Sequence, residues 1–409
     1  MRAALLEAGD TAPAKTTETT ETAQTVADTT ETTDAAETAL VRRARSAAAT
    51  AALHAEHAER TRSLHPDTAR ALTGAGFARH FVPRRLGGSG GSFTELVHAT
   101  ALVGEECPSA AWWGVLQALH GRLAALLPEA AHTDLWGAGP DVPVAAAVVP
   151  AAGELRPVPG GHLLSGRWEF ASGVDHAEWV LLASTARTGD GPRPLVAVVS
   201  RRDVRVVEPW DGGGLRGTGS HAVAVDDAFV PEHRTAGREV LAPGRRDPGL
   251  DRCHALPYPL VTSLLMTLPA LGAARGALRA WTGTALGRTT PLGEPLLGTG
   301  TAQDVLARSS GETDAAQLLL ERAARRADEA PLDDLPVAAN QRDAAVALDM
   351  LVGAVERLVR HGGARAQRAD SPLHRYWRDV HTVAAHGAVQ LAPAAAAYGH
   401  HVLSGAGKG

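Results

Sequence analysis

Apolar positions change their spacing twice along this chain, and the changes divide it. In the first third they recur at three and four residues; in 109–127, Trp112, Leu116, Leu119 and Leu123 fall on one face of a predicted helix. Across 142–231 the runs shorten. VPVAAAVV, HLLSGRW, EWVLLA, PLVAVVS, VRVV and HAVAVDDAFV are separated by Gly and Pro at short intervals, which predicts a compact antiparallel barrel or sandwich. After a charged linker at 243–251, helical spacing returns over 260–285, 301–327 and 335–360. The last of these sets Ala344, Leu348, Leu351, Val355 and Leu358 against Asp349, Glu356 and Arg357 on the other side. The expected architecture is mainly α with a central β domain: a helical domain at 39–140, a β domain at 141–242 and a helix bundle at 243–409. Residues 1–38 stand apart. They are rich in Thr and acidic residues with few large apolar side chains, so they are predicted to be a disordered tail, dispensable for folding and catalysis.

Local signals refine the first domain. A short helix should follow Pro66 and stop near Gly74 and Gly76. Residues 87–91 spell G-x-S-x-G with Ser89 in the nucleophile's place. A nucleophile elbow needs a strand running straight into it, however, and Arg84 and Arg85 intervene, while Ser92 and Glu95 read as a capping box opening a helix. The segment is therefore expected to be a glycine loop. Gly212, Gly214 and Gly217 likewise match G-x-G-x-x-G but precede a strand, so no dinucleotide fingerprint is expected there.

Composition removes several classes of function. The chain has 409 residues, net charge −5 and no long basic run, which argues against nucleic acid and an anionic membrane surface as partners. No run of about 18 apolar residues is apparent, so neither a membrane span nor export is expected, and the reading is a soluble, cytoplasmic protein. Cys107 and Cys253 are the two cysteines, far apart and without a C-x-x-C, which disfavours a disulfide framework or a zinc site. His381 and His386, five apart, lie roughly 140° from each other on a helix and cannot share a metal from one face. No metal is expected.

The richest chemistry lies in 160–183, GGHLLSGRWEFASGVDHAEWVLLA. Two β-type runs flank a small-residue bend at Ser172 and Gly173. An aromatic there could lie beside a planar ring, and Ser172 offers one hydroxyl donor and two lone pairs at its rim. The alternative is an ordinary hairpin with a buried Trp168. GRWEFASGVDHAEWV resembles the flavin-contacting segment of the flavin-dependent monooxygenases that share the acyl-CoA dehydrogenase fold. VPRRLGGSGG at 82–91 and LRGTGSHAVAVDDAFVP at 215–231 resemble further motifs of that fold.

The resemblance, spread over about 39–405, implies an N-terminal helical domain, a β-barrel and a C-terminal four-helix bundle, usually as a homotetramer. It implies a two-component enzyme whose reduced flavin, FMN or FAD, comes from a partner flavin reductase and which uses molecular oxygen on a small-molecule substrate. That substrate would be an aromatic, a polyketide or an amine. Trp168, Phe170, Ala171, Ser172, Arg216, Thr218, Arg288 and Gly363 would contact the flavin. Ser172 and His386 would bracket its reactive edge, and Trp112, Trp113 and His120 would line the substrate pocket, with His120 ionising or orienting the substrate. Counting from Arg378 and Asp379, the place of the dehydrogenases' catalytic glutamate holds Gly387, next to His386. A true acyl-CoA dehydrogenase and a non-catalytic flavin-fold binding subunit are the alternatives.

Overall fold

The computed structural model describes residues 38–188 and 191–406, so the predicted tail lies, apart from Thr38, outside the described residues. Helix α1 (Ala39–Thr61) starts at Thr38, whose hydroxyl accepts the Val41 amide, and buries a seam of small residues from Ala44 to Ala58. Helix α2 (Pro66–Ala75) opens on proline and stops at Gly76 in the left-handed region, as its sequence predicts. Helix α3 (Phe93–Glu106) carries the Ser92/Glu95 capping box in full. The glycines before it form a loop. A Cβ on Gly88 would sit 2.0 Å from the Val82 carbonyl oxygen and one on Gly91 2.3 Å from the His80 ring, so these glycines allow close packing and build no elbow. Helix α4 (Pro108–Ala124) is buried over its whole length, not on one face as its spacing implies. Helix α5 (Glu129–Trp136) completes this part.

The strands are β1 (Val144–Ala147), β2 (Gly153–Val158), β3 (Gly161–Ala171), β4 (Trp179–Thr188), β5 (Gly191–Ser200), β6 (Arg205–Glu208), β7 (His221–Pro231) and β8 (Thr235–Gly237). They form one sheet in the order β6-β7-β3-β2-β4-β5-β8, with β1 also on β4. This corrects the expected antiparallel barrel in two respects. β1 and β2 both run parallel to β4 and share it lengthwise, against 179–182 and 184–186 respectively. Among the described strands the path is also open, because its ends are the short β6 and β8, which do not pair with each other. Leu155, Leu164, Trp168, Val180, Leu182, Val199 and Val223 fill a core belonging to the sheet alone.

Helices α6 (Tyr258–Leu286), α7 (Gly300–Glu329), α8 (Val337–Gly362), α9 (Pro372–Ala384) and α10 (Leu391–Ala406) follow. Contrary to the sequence expectation, α6 is long and apolar enough to cross a membrane by length and composition. Its apolar window is 94% buried inside the protein, however, so α6 is the axis on which the other helices pack. Small residues make this possible: a Cβ on Gly272 would come within 2.5 Å of the Gly104 Cα in α3. Asp343 in α8 accepts from Arg322 and Arg326 of α7 and from Arg342, and it ties the two longest antiparallel neighbours together.

Candidate active site

The alternation of β3 turns Trp168 inward. It is 1% exposed and its Nε1 donates to the Ala183 carbonyl at 2.7 Å, so it is a sheet-core residue and not the cofactor-facing aromatic of the sequence reading. A register shift between Trp168 and Ala171 then breaks the alternation. Phe170 adopts φ +60°, an uncommon left-handed conformation for an aromatic, and its ring stands 62% exposed with its edge to Trp210 at 6.0 Å. Ala171 is fully buried, and Ser172 and Gly173 make the turn. Gly173 has φ +77°, and a Cβ there would meet Trp113 Nε1 at 2.6 Å and Gln117 Nε2 at 3.5 Å. Both nitrogens are buried and have no hydrogen-bond partner among the described residues.

A chain of hydroxyls runs inward from the turn. Thr218 Oγ1 donates to the Leu215 carbonyl at 2.8 Å, Ser220 Oγ lies 2.7 Å from Thr218 Oγ1, and Ser172 Oγ lies 2.7 Å from Ser220 Oγ. On the other side Trp112 Nε1 approaches Ser172 Oγ at 3.5 Å, and the Trp112 ring meets His386 edge-on at 5.6 Å. Ser172, Thr218, Trp112 and His386 therefore converge, as expected.

The two histidines present opposite faces. His386 Nδ1 accepts the Ala388 amide at 3.2 Å, so the neutral ring carries its proton on Nε2 and offers a donor. Its environment lowers its pKa by desolvation, although one edge is open to solvent. His120 Nδ1 lies 2.7 Å from the Val144 carbonyl, which can only accept, so the proton is on Nδ1 and Nε2 keeps a lone pair. Burial pushes the His120 pKa down to about 4 against the opposing pull of that carbonyl, so the ring is neutral at neutral pH. Gln117 Oε1 accepts the Val144 amide at 2.9 Å and fixes the same residue. Trp112, Leu116 and His120 repeat every four residues along α4, which puts His120 about 12 Å from Trp112 along one side of the helix.

Asp379 supports the turn from behind. It is 2% exposed and accepts the Leu215 amide at 2.6 Å, and desolvation raises its pKa to about 6 despite that bond and the nearby Arg375 and Arg378. The glycines of the false dinucleotide motif serve this packing: a Cβ on Gly214 would lie 2.2 Å from the Arg378 carbonyl oxygen and one on Gly217 2.6 Å from the Ala58 Cβ.

Three expected cofactor contacts fall elsewhere. Arg216 spends its guanidinium on Glu59 of α1, which also takes Arg378, so it braces the turn. Arg288 and Gly363 stand apart from Ser172. Arg288 lines a cavity of about 230 Å³ with Trp281, Gly362, Arg365, Arg368 and Leu373. Leu373 begins α9 and His386 follows its end, so the helix separates the two places by roughly 20 Å. The sequence reading missed Ser220, Gln117, Trp210 and Asp379. Ser220 is two residues from Thr218, close enough to have been included with it.

Nor did it foresee the histidine–carboxylate cluster of His54, His65 and Asp67. The first two rings stack at 3.9 Å. His65 Nδ1 accepts the Asp67 amide as a helix cap and Asp67 pairs with Arg70, so the cluster knots α1 to α2.

Comparison with known proteins follows this geometry. A family model described as acyl-CoA dehydrogenase, C-terminal domain, matches residues 264–391. The flavin-dependent monooxygenase, oxygenase subunit HsaA, of Rhodococcus jostii (strain RHA1) is 30% identical over 343 residues, 80% of this chain and 88% of the relative. The FADH(2)-dependent resorcinol hydroxylase, oxygenase component, of Rhizobium sp. (strain MTP-10005) is 31% identical over 77% of this chain and 82% of its own. Among solved structures, XiaF from Streptomyces sp. in complex with FADH2 and glycerol superposes with a TM-score of 0.82 at 28% identity, covering 94% of this chain and 97% of that one.

Proposed function

The chain belongs to the oxygenase subunits of flavin-dependent monooxygenases, and from that premise we propose that it hydroxylates an electron-rich aromatic or polyketide-like small molecule, with reduced flavin supplied by a separate reductase. The observation that carries this reading is the convergence of Ser172, Trp112 and His386 beside the His120 side of α4. The residues present suit a flavin. Phe170 is an outward aromatic face, Ser172 and His386 supply an acceptor and a donor at one rim, and Trp113 Nε1 and Gln117 Nε2 are buried donors without partners. The Arg288, Arg365 and Arg368 cavity suits a phosphate. Its distance from Ser172 fits a tetramer in which one copy's arginines serve the flavin of another.

Bound reduced flavin supplies the electrons that split dioxygen between product and water. The chain's own residues hold and shield. His386 donates through Nε2 at the rim, and Ser172 presents a lone pair beside it. His120 accepts a phenolic hydrogen through Nε2. A conjugate acid of about 4 orients such a hydroxyl without removing its proton, which decides between the two roles expected for this residue. Gly387, where a dehydrogenase's glutamate would be counted, leaves no carboxylate at that position to take a substrate α-proton.

The test is oxygen consumption with reduced flavin and a panel of phenols, with product and hydrogen peroxide both quantified. Product should account for most of the oxygen in the wild type. His386→Ala should divert most of it to peroxide, and His120→Ala should raise KM for the phenol by about tenfold or more with flavin affinity unchanged. Wild-type turnover that yields peroxide alone across the panel would overturn the assignment.

A further inference from the structure

The hydroxyl chain behind Ser172 has a direction, and we propose that Ser220 and Thr218 are positioning residues that fix the polarity of Ser172 and make the site select reduced over oxidised flavin. The inference rests on the reading above that Ser172 meets the flavin ring.

The direction follows from counting protons. The Leu215 carbonyl can only accept, so Thr218 Oγ1 gives its single proton there at 2.8 Å. The 2.7 Å contact between Thr218 and Ser220 must then be filled by the Ser220 proton. That leaves the 2.7 Å contact between Ser220 and Ser172 to the Ser172 proton. All three hydroxyls point inward, and Ser172 is left with lone pairs only, one of them facing Trp112 Nε1 at 3.5 Å. Ser172, Thr218 and Ser220 are 7%, 2% and 8% exposed, so water competes little for these bonds.

The chemistry of the ligand makes that polarity matter. The central ring nitrogen of a reduced flavin carries a hydrogen and needs an acceptor, whereas the same nitrogen of an oxidised flavin carries a lone pair and needs a donor. Ser172 as built serves the first. To serve the second, all three hydroxyls must reverse together, and the Thr218 bond to Leu215 is lost. Leu215 is held against such adjustment: its amide is bound by Asp379 at 2.6 Å, and its carbonyl also accepts Trp210 Nε1 at 3.0 Å. An oxygenase fed by a diffusing carrier gains from this arrangement, because spent oxidised flavin leaves the acceptor unsatisfied and is released.

The test compares dissociation constants of the full chain for dithionite-reduced and oxidised flavin, measured anaerobically and aerobically with FMN and FAD. The wild type should bind the reduced form more tightly. Ser220→Ala removes the inward acceptor and frees the Ser172 proton to point outward, so affinity for oxidised flavin should rise and the oxidised-to-reduced ratio of dissociation constants should fall about fivefold to tenfold. Thr218→Val should do the same through one more link, and Thr218→Ser should restore the wild-type ratio. Either variant carries the test if the other fails to fold. Ser172→Ala should lower the ratio by weakening reduced flavin alone. If Ser172→Ala lowers the ratio while Ser220→Ala and Thr218→Val leave it unchanged, the relay is wrong and the flavin reading stands. If Ser172→Ala also leaves both constants unchanged, or the wild type binds no flavin, that reading falls with it.

Discussion

Asp343 in the bundle and Asp379 behind the Ser172 turn are both buried carboxylates, 1% and 2% exposed, and their surroundings differ in kind. Asp343 receives three arginines on its two oxygens, so its charge is matched and every lone pair facing the protein is engaged. Asp379 receives one backbone amide, while Arg375 and Arg378 direct their bonds to Glu106, Gly213 and Glu59. Desolvation then prevails and its pKa climbs to about 6. The difference extends to the neighbours. The bundle saturates its polar groups, whereas the turn keeps unspent valences: a lone pair on Ser172, a lone pair on His120, a proton on His386. A network that only holds a fold together closes on itself; one that receives a ligand stops short.

Breaking the saturated side should cost most. Asp343→Ala leaves three arginines around a buried void and should lose about 3–5 kcal/mol of unfolding free energy in denaturant titration. A loss below about 1 kcal/mol would mean that the three ion pairs are dispensable.

The unsaturated carboxylate gives a smaller effect with a sign set by pH. Because its folded pKa is raised from 3.8 to about 6, Asp379 favours folding when protonated; that contribution is complete below pH 4 and is lost as pH rises through 6. The loss is roughly 3 kcal/mol at neutral pH. Asp379→Asn still offers the Leu215 amide an acceptor, so its stability should decline less than the wild type's between pH 4 and pH 7, with the two curves diverging by that amount. Parallel curves from thermal melts across this range would show that Asp379 titrates normally.

The smallest expected effect is the sharpest contrast. Ser172→Ala should cost less than about 1 kcal/mol of stability, because its neighbours keep their other partners. A loss above 2 kcal/mol would place Ser172 on the structural side of the comparison.

Much of this was legible in the sequence, for identifiable reasons. The Ser92/Glu95 box, the Pro66 start and the Gly76 stop are local signals, and local signals survive any tertiary context. The pair of G-x motifs was rightly set aside because each lacked the strand or helix that its chemistry needs. Trp168 shows the opposite case: alternation points it inward, and only the register shift after it decides that Phe170 carries the exposed face. The parallel pairing of β1 and β2 with β4 was invisible because pairing partners are long-range choices. Arg216 could not be placed without knowing that Glu59, far away in the chain, would meet it. The polarity of Ser172 is a property of four residues and no single motif.

That meeting at Glu59 also orders events in time. Glu59 joins Arg216, 157 residues on, and Arg378, 319 residues on. Loop closure over such spans comes late, since the entropy lost is recovered only when everything between has ordered. On the ribosome, neither the sheet turn nor the first helices can lock until residue 378 has been synthesised and has emerged. A nascent chain of this protein can therefore hold most of its helical core and much of its sheet while still lacking an assembled site, so binding competence is the last property it acquires.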